Sequence, residues 1–170
     1  MVRAFSRLNA AFVSFTGSQA NDTPLAHRHA VTSFLNPSAI IVGGGGTHDE
    51  HTMQWDLQLG SIKYPETMCS SLGESFALLR QATNIYDESI RTLAMTPQSY
   101  GTLGFCIGVP LQSVPGAPFS GVSTRAGDLL TFRAKNLSPD NTINGCGRIF
   151  VCHIVEQLVE CREGSISVLD

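Results

Sequence analysis

An all-β sandwich with one short α-helix between strands is the fold class this sequence predicts, and three observations predict it. The stretch "TMQWDLQLG", residues 52–60, alternates without error: Met53, Trp55, Leu57 and Leu59 fall on one face, Thr52, Gln54, Asp56 and Gln58 on the other. Side chains alternate sides along a strand, so this pattern marks a strand buried on one face. Similar but noisier runs recur along the chain, separated by turn-rich pieces. Only one stretch repeats with the period of a helix.

Taken in order, the strands are expected at "LNAAFVSF" (8–15), "TMQWDLQLG" (52–60), "ESIRTLAM" (88–95), "TLGFCIGV" (102–109), "DLLTFRA" (128–134), "RIFVCHIVEQLVEC" (148–161) and "SISVLD" (165–170). Between them lie "TGSQANDTP", "SVPGAPFSG", "KNLSPDNTINGCG" and "REGS", rich in the residues that turns require. Seven or so strands with this punctuation favour two packed sheets. The exception is "SSLGESFALLRQAT" (70–83), where Leu72, Phe76, Leu79 and Thr83 recur at helical spacing with Leu78 and Ala82 beside them. Ser71 and Glu74 form a capping box at its start. Gly73 weakens the helix without cancelling the cap and the apolar face. A helix of about three turns is expected to plug an open end or edge of the sandwich.

At 170 residues the chain fits a single domain, residues 1–170, and is long enough to bury a core without staples. With 42% hydrophobic and 15% charged residues it is neither a disordered chain nor a basic domain that coats nucleic acid. A net charge of −3 gives no general attraction to phosphate backbones or acidic membranes. Arg3 and Arg7 are too few to make a nucleic-acid-binding arm. No apolar run reaches the roughly 20 residues needed to cross a bilayer. The first residues lack the apolar block of a signal peptide. Together these point to a soluble chain made in the cytoplasm. Five cysteines, Cys69, Cys106, Cys146, Cys152 and Cys161, form no C-x-x-C pair and are odd in number. They read as reduced, largely buried small apolar residues.

The segment "GGGGTHDEH" invites two chemistries. Gly43, Gly44, Gly45 and Gly46 resemble a phosphate loop, but no lysine follows and the next element is a strand, not a helix whose amides could face a phosphate. His48, Asp49, Glu50 and His51 are metal-ligand types, yet a loop between glycines and a strand does not fix them on one face. His27 and His29 flank Arg28, whose charge disfavours a cation. A solvated, mobile loop feeding the strand at 53–59 is the better account, and no metal ion or cofactor is assigned.

A cysteine nucleophile is the sharpest catalytic reading. "NGCGR" sets Cys146 between Gly145 and Gly147, with His48 or His51 and Asp56 far upstream, the His, acid, Cys order of viral chymotrypsin-like cysteine proteases. Against it, Gly145 directly precedes Cys146, and His153 follows after only seven residues. His153 beside Cys152 on an alternating strand reads first as a sheet residue. Asp128, Glu156 and Glu160 are the acids available for paired-carboxylate chemistry, which depends on their separation in the fold. Trp55 lies on the apolar face of its strand and is a core residue before it is a sugar platform. No catalytic residue is assigned.

The stretches "LQLGSIKYPETMCSSLGESFALLRQA", "FSGVSTRAGDLLTFRAKN" and "FVCHIVEQLVECREGSISVLD" resemble, in order, the C-terminal part of virus-like major capsid proteins encoded by eukaryotic viruses and virus-derived genomic elements. The resemblance runs from about Trp55 to Asp170, with "RLNAAFVSF" as a weaker extension. In such proteins a strand and a Tyr-Pro turn lead into a helix like that at 71–83. A Phe-x-Gly-x-Ser-Thr-Arg segment then leads into Gly-Asp-Leu-Leu, here Phe119 to Leu130, and the last hairpin ends in Val-x-Asp. The resemblance implies a single jelly-roll-like β-sandwich. It further implies a self-assembling, non-catalytic structural role, with copies of itself and other capsid proteins as partners, in a virion or in host cytoplasm before assembly. Capsid proteins of this kind often carry two jelly rolls, whereas this chain has room for one. A fragment, a single-jelly-roll relative and a host-captured descendant all fit.

Locally, Ala126, Gly127 and Asp128 suit a turn from which Leu129 and Leu130 re-enter the core, with Arg125 free to meet a carboxylate. Two alternatives stand beside the capsid expectation. A cysteine protease requires a reactive Cys146, and a ligand- or carbohydrate-binding sandwich requires a concave face with exposed aromatics or acids.

Overall fold

The computed structural model describes residues 7–17, 53–83, 95–101, 104–114, 117–124, 128–137, 146–162 and 165–169. Among the described residues the strands form two three-stranded antiparallel sheets and a separate two-stranded hairpin. The first sheet sets β1 (Leu8–Gly17) between β4 (Cys106–Pro110) and β6 (Cys146–Val155). The second sets β2 (Gln54–Leu59) between β3 (Ile62–Cys69) and β5 (Leu130–Lys135). The hairpin joins β7 (Leu158–Arg162) to β8 (Ser165–Leu169). The chain is an all-β sandwich; among the described residues it has α1 (Leu72–Ala82) between strands and one further helical turn, α2 (Pro97–Tyr100).

The core forms where the alternating faces meet. Ala11, Val13 and Phe15 of β1 pair across the sheet with Val109 and Ile107 on one side and with His153, Val151 and Ile149 on the other. Opposite them, β2 contributes Trp55 and Leu57 to the same buried cluster. Phe15 reaches Phe132 of β5 with ring centroids 6.2 Å apart, which joins the two sheets. Phe105 lies 6.0 Å from Phe15 and 5.1 Å from Tyr100, and Tyr100 lies 5.0 Å from Phe76 of α1. This aromatic chain carries the core from the sheets to the helices. Rings tilted at such distances add to simple burial.

The helix follows its sequence signals. Ser71 caps it, its Oγ accepting the Glu74 N–H at 3.1 Å. At the other end the Thr83 hydroxyl donates to the Leu79 and Arg80 carbonyls, both at 3.0 Å. Ser75, Leu79 and Ala82 form its buried face, and α1 packs on β4, an outer strand of the first sheet. Gly108 makes that approach possible: a Cβ there would lie 2.9 Å from the Leu79 Cα and 3.1 Å from the Ala82 Cβ. The helix expected between two strands is present and lies against β4.

Three readings change. The stretch at 62–69 is a strand, β3, although Pro65 and its exposed residues hide the alternation. Trp55 pairs with Cys69 and Leu57 with Tyr64, so Asp56 alone faces residues 65–68, a wide bulge that no short pattern reveals. The run at 148–161 is not one strand but two, with β6 ending at Val155 and β7 beginning at Leu158. Leu129 is 57% exposed and does not enter the core, whereas Leu130 packs against it. The expected strand at 88–95 lies, apart from Met95, outside the described residues.

Candidate assembly surface

The sequence-predicted chemical residues separate into three groups. Gly43, Gly44, Gly45, Gly46, His48, Asp49, Glu50, His51, His27 and His29, with Arg28, lie outside the described residues, as does Arg125. Cys146 opens β6, and its side chain lies outside the described ones too. Among the described residues, no three His, Cys, Asp or Glu side chains gather as metal ligands, and no helix is long and apolar enough to cross a membrane.

Asp56 is placed differently from its alternation. It belongs to the polar side of β2 yet is fully buried, and Arg133, directly opposite on β5, grips it with both ends of the guanidinium. Nε donates to Oδ1 at 2.7 Å and Nη2 to Oδ2 at 2.5 Å. Such a two-pronged pair satisfies a buried carboxylate. The Arg133 side chain remains 42% exposed, and the carboxylate beside it raises its pKa further. Asp56 is committed to this pair, which ties β2 to β5.

Trp55 is buried in the core, as its face predicts. Its indole N–H donates to Ser75 Oγ at 2.9 Å, and that oxygen also lies 3.2 Å from Cys69 Sγ. A serine on the inner face of α1 thereby satisfies the one polar atom that a buried indole brings. Burial pushes both the Cys69 and Cys106 thiols up to about 11, which keeps them protonated and poorly nucleophilic. Cys152 and Cys161, by contrast, are exposed, so the expectation of largely buried cysteines holds only for part of the set. Their side chains sit on strands that leave much of their surface uncovered.

That uncovered surface is the most distinctive feature of the molecule. Ile149, Phe150, Val151 and Ile154 on β6, with Leu158 and Val159 on β7, are each 45–51% exposed. Phe150 and Ile154 point to one face of β6 and Ile149 and Val151 to the other, since they pair with alternate residues of β1. Among the described residues β6 has a strand neighbour on one side only, β1. No formally charged side chain interrupts 149–155, and burial lowers the pKa of His153, favouring its neutral form. Soluble proteins usually guard such an edge with charge, proline or a cover. Covering the exposed half of each of these six side chains is worth about 1 kcal/mol.

The point where β6 gives way to β7 is fixed from outside. Glu156 donates its N–H to the Arg7 carbonyl at 3.0 Å, and its Oε2 accepts the Phe119 N–H at 2.6 Å. The Arg7 guanidinium lies over the Phe119 ring, 4.4 Å from its centroid, a favourable cation–π contact. Phe119 has a φ of 61°, a left-handed conformation that a bulky residue adopts only when its surroundings hold it. Its ring is 52% exposed. Reciprocal backbone bonds between Leu8 and Val122, at 2.8 and 3.0 Å, pin the same loop to the start of β1. Gly121 must stay small there, because a Cβ would meet the Leu8 carbonyl at 2.9 Å.

Sequence reading placed Glu156 only as an acid near a strand and passed over Phe119 and Arg7 as a unit. The three lie far apart along the chain, and only the fold brings them together. Comparison with protein-family models, with curated proteins and with solved structures gives no match for this chain.

Proposed function

We propose that this chain is a structural, self-assembling capsid-type protein on a jelly-roll sandwich, acting through contacts between copies and without catalysis. The observation that carries this reading is the concentration of half-exposed apolar side chains on β6 and β7, strands otherwise regular enough to fold. An apolar surface of this kind marks an interaction site on a soluble domain. Repeated use of one patch in a symmetric shell turns modest pairwise contacts into a stable assembly.

Three further features support it. Early strands pair with late ones, β1 with β4 and β6 and β2 with β5, the type of long-range wrapping on which a jelly roll is built. The acid offered for a protease triad, Asp56, is held by Arg133. The Ser120 hydroxyl donates to the Val114 and Ala117 carbonyls at 2.9 and 3.0 Å, bracing the described residues on either side. Braced residues that include exposed Val114 and Phe119 suit a contact that must recur identically.

Size-exclusion chromatography with light scattering, followed by electron microscopy, tests the proposal. Discrete assemblies are expected at raised protein concentration. A chain that stays monomeric across salt and pH at high concentration sinks it.

A further inference from the structure

We propose that the β7–β8 hairpin of one copy docks, in a second copy, along the side of β6 that has no strand neighbour among the described residues, extending the β4–β1–β6 sheet across the contact. This rests on the self-assembly reading and names its contact. Three observations carry it. First, the hairpin's main contacts are between its own two strands, and none of the described side chains of 158–169 belongs to the core cluster. A two-stranded hairpin is marginal by itself in water and gains independent stability by joining further strands or a packing surface. Yet Leu158 and Val159 stand about half exposed on it.

Second, the hairpin does not cover its own β6. Only Glu156 and Gln157 separate β6 from β7, Glu156 is tied to Arg7 and Phe119, and β7 is in register with β8, not with β6. Third, the two surfaces suit each other in charge and polarity. Residues 149–155 of β6 carry no formally charged side chain, and the β7 sequence LVECR has no net charge, with one acidic and one basic residue. An added strand supplies main-chain hydrogen bonds while its side chains cover apolar faces. Because donor and acceptor are different patches, the contact is head-to-tail and propagates from copy to copy, into a closed ring or an extended array.

Single variants of the full chain test this by complementation. Val159→Glu disables the hairpin as donor, and Phe150→Glu disables β6 as acceptor; Ile154→Lys serves as acceptor variant if Phe150→Glu does not fold by circular dichroism. The wild-type chain assembles, and each variant alone is monomeric at concentrations at least 10-fold above those at which the wild type associates. An equimolar mixture of the two gives a dimer by light scattering and nothing larger, since one intact hairpin meets one intact edge. If Val159→Glu assembles like the wild type, β6 pairs with β6 or another surface is used. If Phe150→Glu assembles like the wild type, β6 is not the acceptor. Either result, or a mixture that stays monomeric, overturns the docking while leaving self-assembly standing. A monomeric wild type removes both.

Discussion

Two sets of strands in this molecule use similar residues to opposite effect. In β2 and β4 the inward apolar side chains, Trp55, Leu57, Leu59, Ile107 and Val109, are at most 4% exposed. On β6 and β7, Ile149, Phe150, Val151, Ile154, Leu158 and Val159 are 45–51% exposed. Alternation and apolar content report that a strand is made to be covered; they do not say whether the cover belongs to the same chain. The contrast separates a body that folds on its own contacts from a surface that, under the proposed self-assembly, a second copy covers.

The largest expected effect lies in the body. Trp55→Ala removes a fully buried indole, strands the Ser75 hydroxyl and should cost about 3–5 kcal/mol in urea or thermal unfolding. Val159→Glu, on the exposed side, should change stability by no more than about 0.5 kcal/mol while abolishing association. Comparable stability losses from the two would erase the distinction. Next in size, Gly108→Val forces a side chain into the Leu79 backbone and should cost about 1–3 kcal/mol without changing the assembly of whatever remains folded. A neutral outcome would mean that α1 is not seated on β4 as described.

The smallest effect is in pH. His153 lies on β6 with its pKa lowered by burial from the ordinary 6.5, so the unfolded chain binds the proton more readily than the folded one. Its contribution is fully present above pH 6.5 and is lost as pH falls from there toward the lower folded value. His153→Gln should flatten the fall in Tm between pH 7 and pH 5.5 measured on dilute protein. An unchanged slope would assign the acid sensitivity to other groups.

Much of the body was legible in the sequence because its signals are local. The alternation around Trp55 gives β2, and the capping box with its apolar spacing gives α1. What escaped is non-local. Asp56 alternates onto a polar face but is buried because Arg133, 77 residues on, meets it across the sheet. β3 escaped because Pro65 and the bulge at 65–68 break the alternation, and pairing with β2 holds the strand instead. The break between β6 and β7 falls inside an unbroken strand-like pattern, and its visible anchors, Arg7 and Phe119, lie in distant segments. For the candidate surface, sequence supplied the apolar residues of 149–159 but could not separate a core face from a contact face.

Hydrogen–deuterium exchange of the full chain at low and high concentration tests the central claim most directly. The account predicts that amides of 149–154 and 158–162 slow markedly as concentration rises, while those of β2 and α1 exchange at the same slow rate throughout. Exchange at β6 and β7 that is independent of concentration, in a chain that light scattering finds associated, would contradict it.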